Sequence, residues 1–179
     1  MDYNVILNFW FEEIESSKWW SKDLQFDEMI SERFADVHRA ANRCELAHWR
    51  KTPAGRLAEI IVLDQFSRNM FRDTPLSFAS DSIALALAQE AISVGADVEL
   101  EQSQRNFLYM PFMHSESLII HDVALELYTQ NDSQYSLDFE MKHRDIIQEF
   151  GRYPHRNVIL GRISTQAELK FLTQANSSF

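Results

Sequence analysis

Residues 57–72, LAEIIVLDQFSRNMFR, predict an α-helix that is apolar on nearly every side. At about 100° per residue, Asp64 and Arg68 fall on the same face as Leu57, Ile61 and Phe71, so two charges lie among hydrophobic side chains. An exposed pair at this spacing contributes only about 0.3–0.5 kcal/mol, whereas a buried pair costs several kcal/mol unless it finds partners. The stretch therefore predicts a central helix whose charges pair with residues from elsewhere in the chain.

The composition favours one all-helical domain over residues 1–179. With 45% hydrophobic and 12% aromatic residues, a chain of 179 residues can fill a single core. Only four Gly and four Pro argue against a turn-rich β-sandwich or barrel, and runs of β-branched residues are scarce. We therefore expect an all-α fold.

Charge and cysteine content exclude several classes of protein. A formal net charge of −10 argues against a broad surface for nucleic acid or acidic membranes. The single cysteine, Cys44, allows neither an internal disulfide nor a multi-cysteine metal site, and it fits a reducing compartment. The amino-terminal MDYNVILNFWFEEI has the features of neither a secretory signal nor a membrane span. We expect a cytoplasmic protein with no nucleic-acid or membrane partner.

Helical spacing and capping residues divide the chain before the central helix. Residues 3–15 have the apolar spacing of a helix, and SSKWWSKD has none and predicts a loop. Its two tryptophans pack against the core or offer a face to a ligand, and packing is the more common role. Asp23 is the predicted N-cap of a second helix that runs on toward Trp49. Thr52 and Pro53 suit the start of the central helix.

Proline and glycine punctuate the chain after the central helix. A helix starting near Asp81 ends at Gly95, and Pro111 predicts a break near Met110. Leu137–Phe150 predicts a helix that Gly151 ends. The helix after Pro111 has a predicted packing stripe of Leu118, Ile119, Val123, Leu127 and Tyr128.

The final stretch predicts two short helices. Pro154 opens the first and Gly161 closes it. Thr165 and Glu168 form a predicted capping box for the last helix, which turns Leu169 and Leu172 inward. With short linkers throughout, the chain predicts about eight or nine helices that pack as antiparallel hairpins.

Three segments place polar residues in apolar surroundings and are predicted to meet at one site: DQFSRN at 64–69, YMPFMHSE at 109–116 and GRYPHRN at 151–157. The candidate ligand-binding residues are Asp64, Gln65, Arg68, Asn69, His114, Glu116, Arg152, His155, Arg156 and Asn157. The candidate catalytic residues among them are His114, Glu116 and His155.

The third segment carries the argument for an anion. Pro154 places the next three residues in the first turn of a helix, where free backbone amides favour negative charge. Arg152, Arg156 and Arg162 add planar donors that match a carboxylate or phosphate. The alternative is that these arginines pair with Asp64, Glu116 and nearby carbonyls to hold helices together, since structural ion pairs imitate sites.

No metal or cofactor is expected. His114 and His121 with nearby acids are a weak metal signal, because no H-E-x-x-H spacing is present. The His121-Asp122 dipeptide lacks the spacing of the HD phosphohydrolases. The sequence also has no Gly-rich phosphate loop.

The segments LDQFSRNMF, FLYMPFMHSE and FGRYPHRNVILGRIST, with NFWF and RDTP, resemble the bacterial family named domain of unknown function 924. The resemblance covers nearly the whole chain. It implies a tetratricopeptide-like, right-handed superhelix of helical hairpins, and it implies no reaction. This chain has Ser67 where family members often have Pro, and Asp73 where a Gly is common. Ser67 removes a helix kink. The residues that match the family motifs are Asp64, Gln65, Arg68, Asn69, Pro111, His114, Ser115, Glu116, Gly151, Arg152, Pro154, His155, Arg156, Asn157, Gly161 and Arg162.

Three functions are consistent with these residues. The first is a binding module whose Arg, His and Asn side chains hold a small anion or an acidic peptide. The second is an enzyme with hydrolase-like acid–base chemistry, in which His155 or His114 transfers protons and Arg156 stabilises negative charge. The third is a structural protein with a buried polar cluster and a partner surface elsewhere, such as a homo-oligomer contact.

Overall fold

The helix at 53–70 packs against helices that precede and follow it in the computed structural model, which describes residues 1–175 and 177. The described residues are helical and contain no strand. The α-helices are α1 (Tyr3–Asn8), α2 (Leu24–Asn42), α3 (Pro53–Ile61), α4 (Ser67–Met70), α5 (Asp81–Ser93), α6 (Gln102–Met113), α7 (Leu118–Gln130), α8 (Gln134–Phe150) and α9 (Gln166–Phe171).

The central helix consists of α3, a π-helical turn at Val62–Phe66, and α4. As predicted, the Thr52 hydroxyl caps its start by accepting from the Gly55 amide at 3.1 Å, and Pro53 occupies the first turn. Gly55 is required there, because a Cβ would lie 2.1 Å from the Trp49 carbonyl oxygen. Counting the continuous 53–70 segment once, the described residues form eight α-helices, in agreement with the predicted eight or nine.

Ser67 keeps the central helix continuous, as the sequence predicts. Its hydroxyl donates to the Leu63 carbonyl at 2.6 Å and lies 2.8 Å from Nε2 of His38 on α2. The side chain is fully buried, so this contact joins two helices in the core. A proline at this position would lack both contacts.

The first third of the chain follows the prediction with two differences. The Asp23 carboxylate caps α2 by accepting from the amides of Gln25 and Phe26. The helix ends at Asn42 rather than running toward Trp49, because Cys44 has a positive φ of 56° and reverses the chain. Residues 16–20 form a 3₁₀ turn instead of an irregular loop.

The predicted break at Pro111 is wrong. Pro111 lies inside α6, which continues to Met113. In the last turn of a helix a proline removes only one backbone hydrogen bond, and the helix ends two residues later at Met113, with His114 as its C-cap. This extra turn carries Met113 and His114 to the candidate site.

The packing predicted for α7 and α8 is also partly wrong. Ile119 and Val123 are exposed, and α7 instead buries His121, Ala124 and Tyr128. This face is polar in part because His121 pairs with Glu140 of α8, which the apolar pattern could not predict. α8 begins at Gln134, three residues earlier than expected, and ends at Gly151 with a φ of 69° as predicted.

The carboxyl-terminal region has its turns and its helix start at the predicted residues. Pro154–Arg156 form a 3₁₀ turn, and Gly161 has a φ of 66°. The capping box of Thr165 and Glu168 is present at the start of α9. The inward position of Leu169 is wrong, because Leu169 is 47% exposed and Glu168 is buried in its place.

Successive helices contact one another through the second half of the fold, where α6 packs on α7 and α7 on α8. The main hydrophobic core extends from α1 through the central helix to α6 and α7, and a small cluster of Ile146, Ile147 and Tyr153 adjoins it. Within the described residues, no helix is both long and apolar enough to cross a membrane.

Candidate functional site

A cavity of about 700 Å³ lies where the central helix, α6, α8 and three 3₁₀ turns, at 16–20, 75–78 and 154–156, meet. Six of the ten predicted ligand-binding residues line it: Gln65, Arg68, Asn69, His114, His155 and Arg156. The other four, Asp64, Glu116, Arg152 and Asn157, lie outside its lining. The three predicted segments therefore meet, but only part of each one reaches the cavity.

Asp64 has the buried, paired position that the sequence predicts. Its side chain is 1% exposed and contacts Arg68 at 3.1 Å and Nδ1 of His114 at 2.8 Å. The Gln65 amide donates to its second oxygen at 2.6 Å. Burial acts to raise the pKa of Asp64, but Arg68 and His114 together hold it below its usual value. Asp64 is therefore an anion that supports Arg68 and His114 from behind the cavity wall.

Asp81, at the start of α5, is the partner that the sequence did not reveal. It accepts two hydrogen bonds from Arg68, at 3.0 and 3.1 Å, and a longer one from Arg156 at 3.3 Å. Its position at a helix start indicated only a cap, so no pattern connected it with the arginines. One carboxylate thus serves two guanidinium groups. We call Asp64, Arg68, Asp81, His114 and Arg156 the cavity cluster.

Arg156 is the most buried cation of the cavity lining, with 6% of its surface exposed. Its guanidinium lies over the rings of Phe78 at 4.5 Å and Tyr153 at 4.6 Å, and it donates to the His114 carbonyl at 3.1 Å. Its Nε is buried without a hydrogen-bond partner among the described residues. Burial and the neighbouring Arg68 lower the pKa of Arg156, although Asp81 opposes them. Arg156 therefore retains unused capacity to pair with an anion.

Three imidazoles line the cavity in their neutral form. Burial and Arg68 lower the pKa of His114 although Asp64 opposes them, and burial and Arg156 lower the pKa of His155 to about 4. Burial lowers the pKa of His143 to about 3. The positive charge of the lining therefore comes from Lys and Arg rather than from His.

The remaining arginines of the third segment form a separate group, which we call the C-terminal cluster: Glu116, Arg152, Arg162 and Glu168. Arg162 donates to both oxygens of Glu116 at 2.6 and 2.9 Å, and Arg152 to both oxygens of Glu168 at 2.6 and 2.9 Å. These pairs fit the alternative interpretation, in which arginines hold helices and turns together.

The backbone amides after Pro154 are used within the turn itself. The amide of Arg156 donates to the Tyr153 carbonyl at 3.1 Å, and that of Asn157 to the Pro154 carbonyl at 3.0 Å. The Asn157 side chain donates to Ser164 at 3.0 Å. Two of the amides that were predicted to be free for an anion, those of Arg156 and Asn157, are therefore paired within the turn.

The histidines considered for metal lie in different environments. His114 caps α6 and faces the cavity, whereas His121 is buried in α7 and pairs with Glu140 at 2.7 Å. Within the described residues, no group of three or more His, Cys, Asp or Glu side chains is placed to hold a metal ion.

Aromatic residues form the other wall of the cavity. Trp19 and Trp20 pack against Phe107 of α6 and also line the cavity, and a role as a ligand face stays a prediction. The Trp19 indole donates to the Trp10 carbonyl at 2.9 Å, which fixes this wall to the core. Lys22 and Lys142 also line the cavity, and no sequence pattern identified them.

The model of a family described as bacterial protein of unknown function, DUF924, matches residues 6–176 of the chain. The chain belongs to this family. As a DUF924 member it is similar in structure to a protein of unknown function, ATU0120, from Agrobacterium tumefaciens. The two are 39% identical, with a TM-score of 0.90 over 95% of this chain and 96% of the other. No curated protein matches the chain.

Proposed function

We propose that the protein binds a small anionic molecule in the cavity. The observation that carries the proposal is the charge of the lining, in which five cationic side chains face one carboxylate, that of Asp73. The cations are Lys22, Arg68, Arg72, Lys142 and Arg156. In a chain with a formal net charge of −10, this is a local reversal of sign.

The arrangement of the paired carboxylates supports the same conclusion. Asp27, which accepts from Arg72 and Asn69, stands behind the lining, as do Asp64 and Asp81. These acids hold the cationic side chains in place without entering the cavity. Such fixed donors bind an anion without paying the entropy of ordering flexible side chains.

The size of the cavity favours a small molecule over a long acidic peptide. A volume of about 700 Å³ is within the range of about 300–1,000 Å³ typical of small-molecule sites. An acidic peptide tail remains the alternative ligand.

A ligand screen by thermal shift tests the proposal with inorganic phosphate, nucleotides and dicarboxylates. A ligand at a hundred times its dissociation constant stabilises by about 2.7 kcal/mol, which raises the Tm by about 5–10 °C for a domain of this size. We expect Arg156→Met to remove the shift, because it takes away the buried charge and keeps much of the side-chain volume. Arg144→Met is the matched control, since Arg144 lies on α8 and pairs with Asp122 outside the cavity. No shift with any anion would contradict the proposal.

A second candidate is acid–base chemistry at His114, favoured by its contact with Asp64 at 2.8 Å. Asp64 fixes Nδ1, and Nε2 has no hydrogen-bond partner among the described residues. A neutral imidazole in this setting can accept a proton from water or a hydroxyl group held in the cavity. Arg156 would stabilise the negative charge that forms on the substrate. His155 is the alternative base.

Hydrolysis of p-nitrophenyl phosphate and p-nitrophenyl acetate tests this second candidate. We expect His114→Gln to abolish turnover, while anion binding survives. Equal rates for wild type and His114→Gln would exclude His114 as the catalytic base. Loss of turnover in a His155 variant would assign that role to His155.

Three further expectations from the sequence are also proposals. The contacts of α6 with α7 and of α7 with α8 support a tetratricopeptide-like right-handed superhelix. The single cysteine supports a cytoplasmic location. The exposed apolar side chains of Ile119 and Ile163 are consistent with a homo-oligomer contact. Size-exclusion chromatography with light scattering tests the last of these.

A further inference from the structure

The cavity has two chemically different ends. Arg68, His114 and Arg156 lie at one end, and Trp19, Trp20 and Phe107 lie at the other. The aromatic end rests on ring contacts, since Phe107 lies 4.9 Å from Trp19 and 6.1 Å from Trp20 between ring centroids. A bare anion would use only the first end and would leave the exposed ring of Trp20 in water.

Helix α6 joins the two ends and sets the distance between them. Phe107, Met110, Met113 and His114 line the cavity at helical spacing along one face. Phe107 and His114 are seven residues apart, and a rise of 1.5 Å per residue separates them by about 10 Å along the helix axis. The methionines between them are apolar and adapt to the shape of a ligand.

The rim of the aromatic end is accessible. Trp20 is 57% exposed although its ring stacks on Phe107 at an interplanar angle of 9°. Exposed tryptophan at the edge of a cavity is costly unless it gains a contact, because its large apolar surface remains in water. Lys22, two residues further on, also lines the cavity and keeps this edge cationic.

We infer that the ligand is an elongated amphipathic anion, with a carboxylate or phosphate at Arg68 and Arg156 and an apolar group that reaches the aromatic end, at the level of Phe107 about 10 Å away. This inference rests on the proposed function, because it specifies the class of anion that the same cavity takes. The shared chemistry is an acid head on an apolar chain, whether the head is a carboxylate or a phosphate monoester.

Calorimetry with acetate, butyrate, hexanoate and octanoate, and with methyl and octyl phosphate, tests the inference below the aggregation concentration of each compound. We expect the affinity to rise about threefold to fourfold for each added methylene until the chain reaches Phe107. The Trp20→Ser variant should flatten the dependence on chain length. Leu24→Ser is the control, since Leu24 is a nearby apolar residue that is 79% exposed and lies outside the cavity lining.

Fluorescence quenching gives an independent measure of binding near Trp20 in the wild-type protein. 8-Bromooctanoate should quench tryptophan fluorescence, and the Trp20→Phe variant should lose much of this quenching. Octanoate binding no tighter than acetate would overturn the inference, and Arg156-dependent binding of acetate or phosphate would then leave the proposed function standing. Octanoate binding that is equal in wild type and Arg156→Met would overturn the placement of the acid head.

Discussion

The cavity cluster and the C-terminal cluster both pair arginines with carboxylates, but the pairs are organised differently. In the C-terminal cluster each arginine has its own carboxylate, as in the pairs Arg152–Glu168 and Arg162–Glu116. In the cavity cluster Arg68 and Arg156 share Asp81, and the longer of its contacts is the 3.3 Å bond to Arg156. In the one-to-one pairs each arginine makes two hydrogen bonds to its own carboxylate, whereas Arg156 makes only one, at 3.3 Å, to the carboxylate that it shares with Arg68.

The comparison separates two interpretations that the sequence left open. Arginines that hold helices together and arginines that line a candidate site are both present, four residues apart in the same segment. Arg152 belongs to the first kind and Arg156 to the second. Position relative to the cavity, rather than residue type, distinguishes them.

The largest expected effect is on stability within the cavity cluster. Arg68→Ala should lower the free energy of unfolding by about 3 kcal/mol or more, because it leaves the buried carboxylate of Asp64 with only His114 and Gln65 as partners. Chemical denaturation measures this. Arg39→Ala, which removes an exposed pair with Asp36 on α2, should change stability by less than about 1 kcal/mol. Equal effects of the two substitutions would contradict the buried role of Arg68.

The pH dependence of stability should come from the cavity side, where the neutral imidazoles lie. The pKa of His143 is lowered from the ordinary value near 6.5 to about 3 in the folded protein. The unfolded chain therefore binds the proton first, and stability is complete above pH 6.5 and declines as the pH falls toward 3. At pH 5 this one group should cost about 2 kcal/mol.

Denaturation curves at pH 7 and pH 5 measure this decline, and His143→Gln should reduce it. If stability declines between pH 7 and pH 5 as much in His143→Gln as in wild type, His143 is not held neutral in the folded protein. The C-terminal cluster contains no imidazole, so substitutions there should leave the slope between pH 7 and pH 5 as it is in the wild type.

Weakening the C-terminal cluster should have a smaller effect. Thr165→Ala removes the side-chain cap of α9, in which the Thr165 hydroxyl accepts from the Glu168 amide at 3.2 Å. Loss of such a cap costs about 1 kcal/mol. Thermal denaturation measures the change, and Thr165→Ser should restore most of it. A loss above about 3 kcal/mol would indicate that the cap supports much more than α9.

The smallest expected effect is the sharpest test of the comparison. Arg152→Met removes one positive charge four residues from Arg156 but outside the cavity lining. Calorimetry should show anion affinity within about twofold of wild type, because exposed charges beyond the site are screened by salt. A loss of anion affinity as large as that caused by Arg156→Met would indicate that both clusters belong to one site.

Local spacing and capping rules predicted much of the fold. The buried pair of Asp64 and Arg68 followed from charges inside an apolar stripe, and Thr52, Asp23 and Thr165 act as the predicted caps. The exposed Ile119 could not be predicted, because an apolar residue on a helix does not reveal which face has a neighbour. The helix break predicted at Pro111 was wrong for a related reason, because a proline near a helix end is tolerated.

The candidate site was predictable only in part. Polar residues in apolar segments indicated that Arg68, His114 and Arg156 would meet, and all three line the cavity. Asp81 and Lys142 are ordinary surface residues by pattern, and only the packing of α5 and α8 brings them to the site. The division of the arginines between two clusters depends on distances of a few ångströms, which spacing along the chain does not encode.

The π-helical turn at Val62–Phe66 has a consequence for how this protein could be altered. A π turn accommodates one residue more than an α turn, so the side chains beyond it are rotated relative to those before it. Deleting a single residue from this turn would convert it to a regular α-helical turn. The side chains of Arg68 and Asn69 would then point in a different direction around the helix axis. A shortened chain of that kind would keep its core and lose the alignment of its charged wall, so the irregular turn sets the angular register between the two.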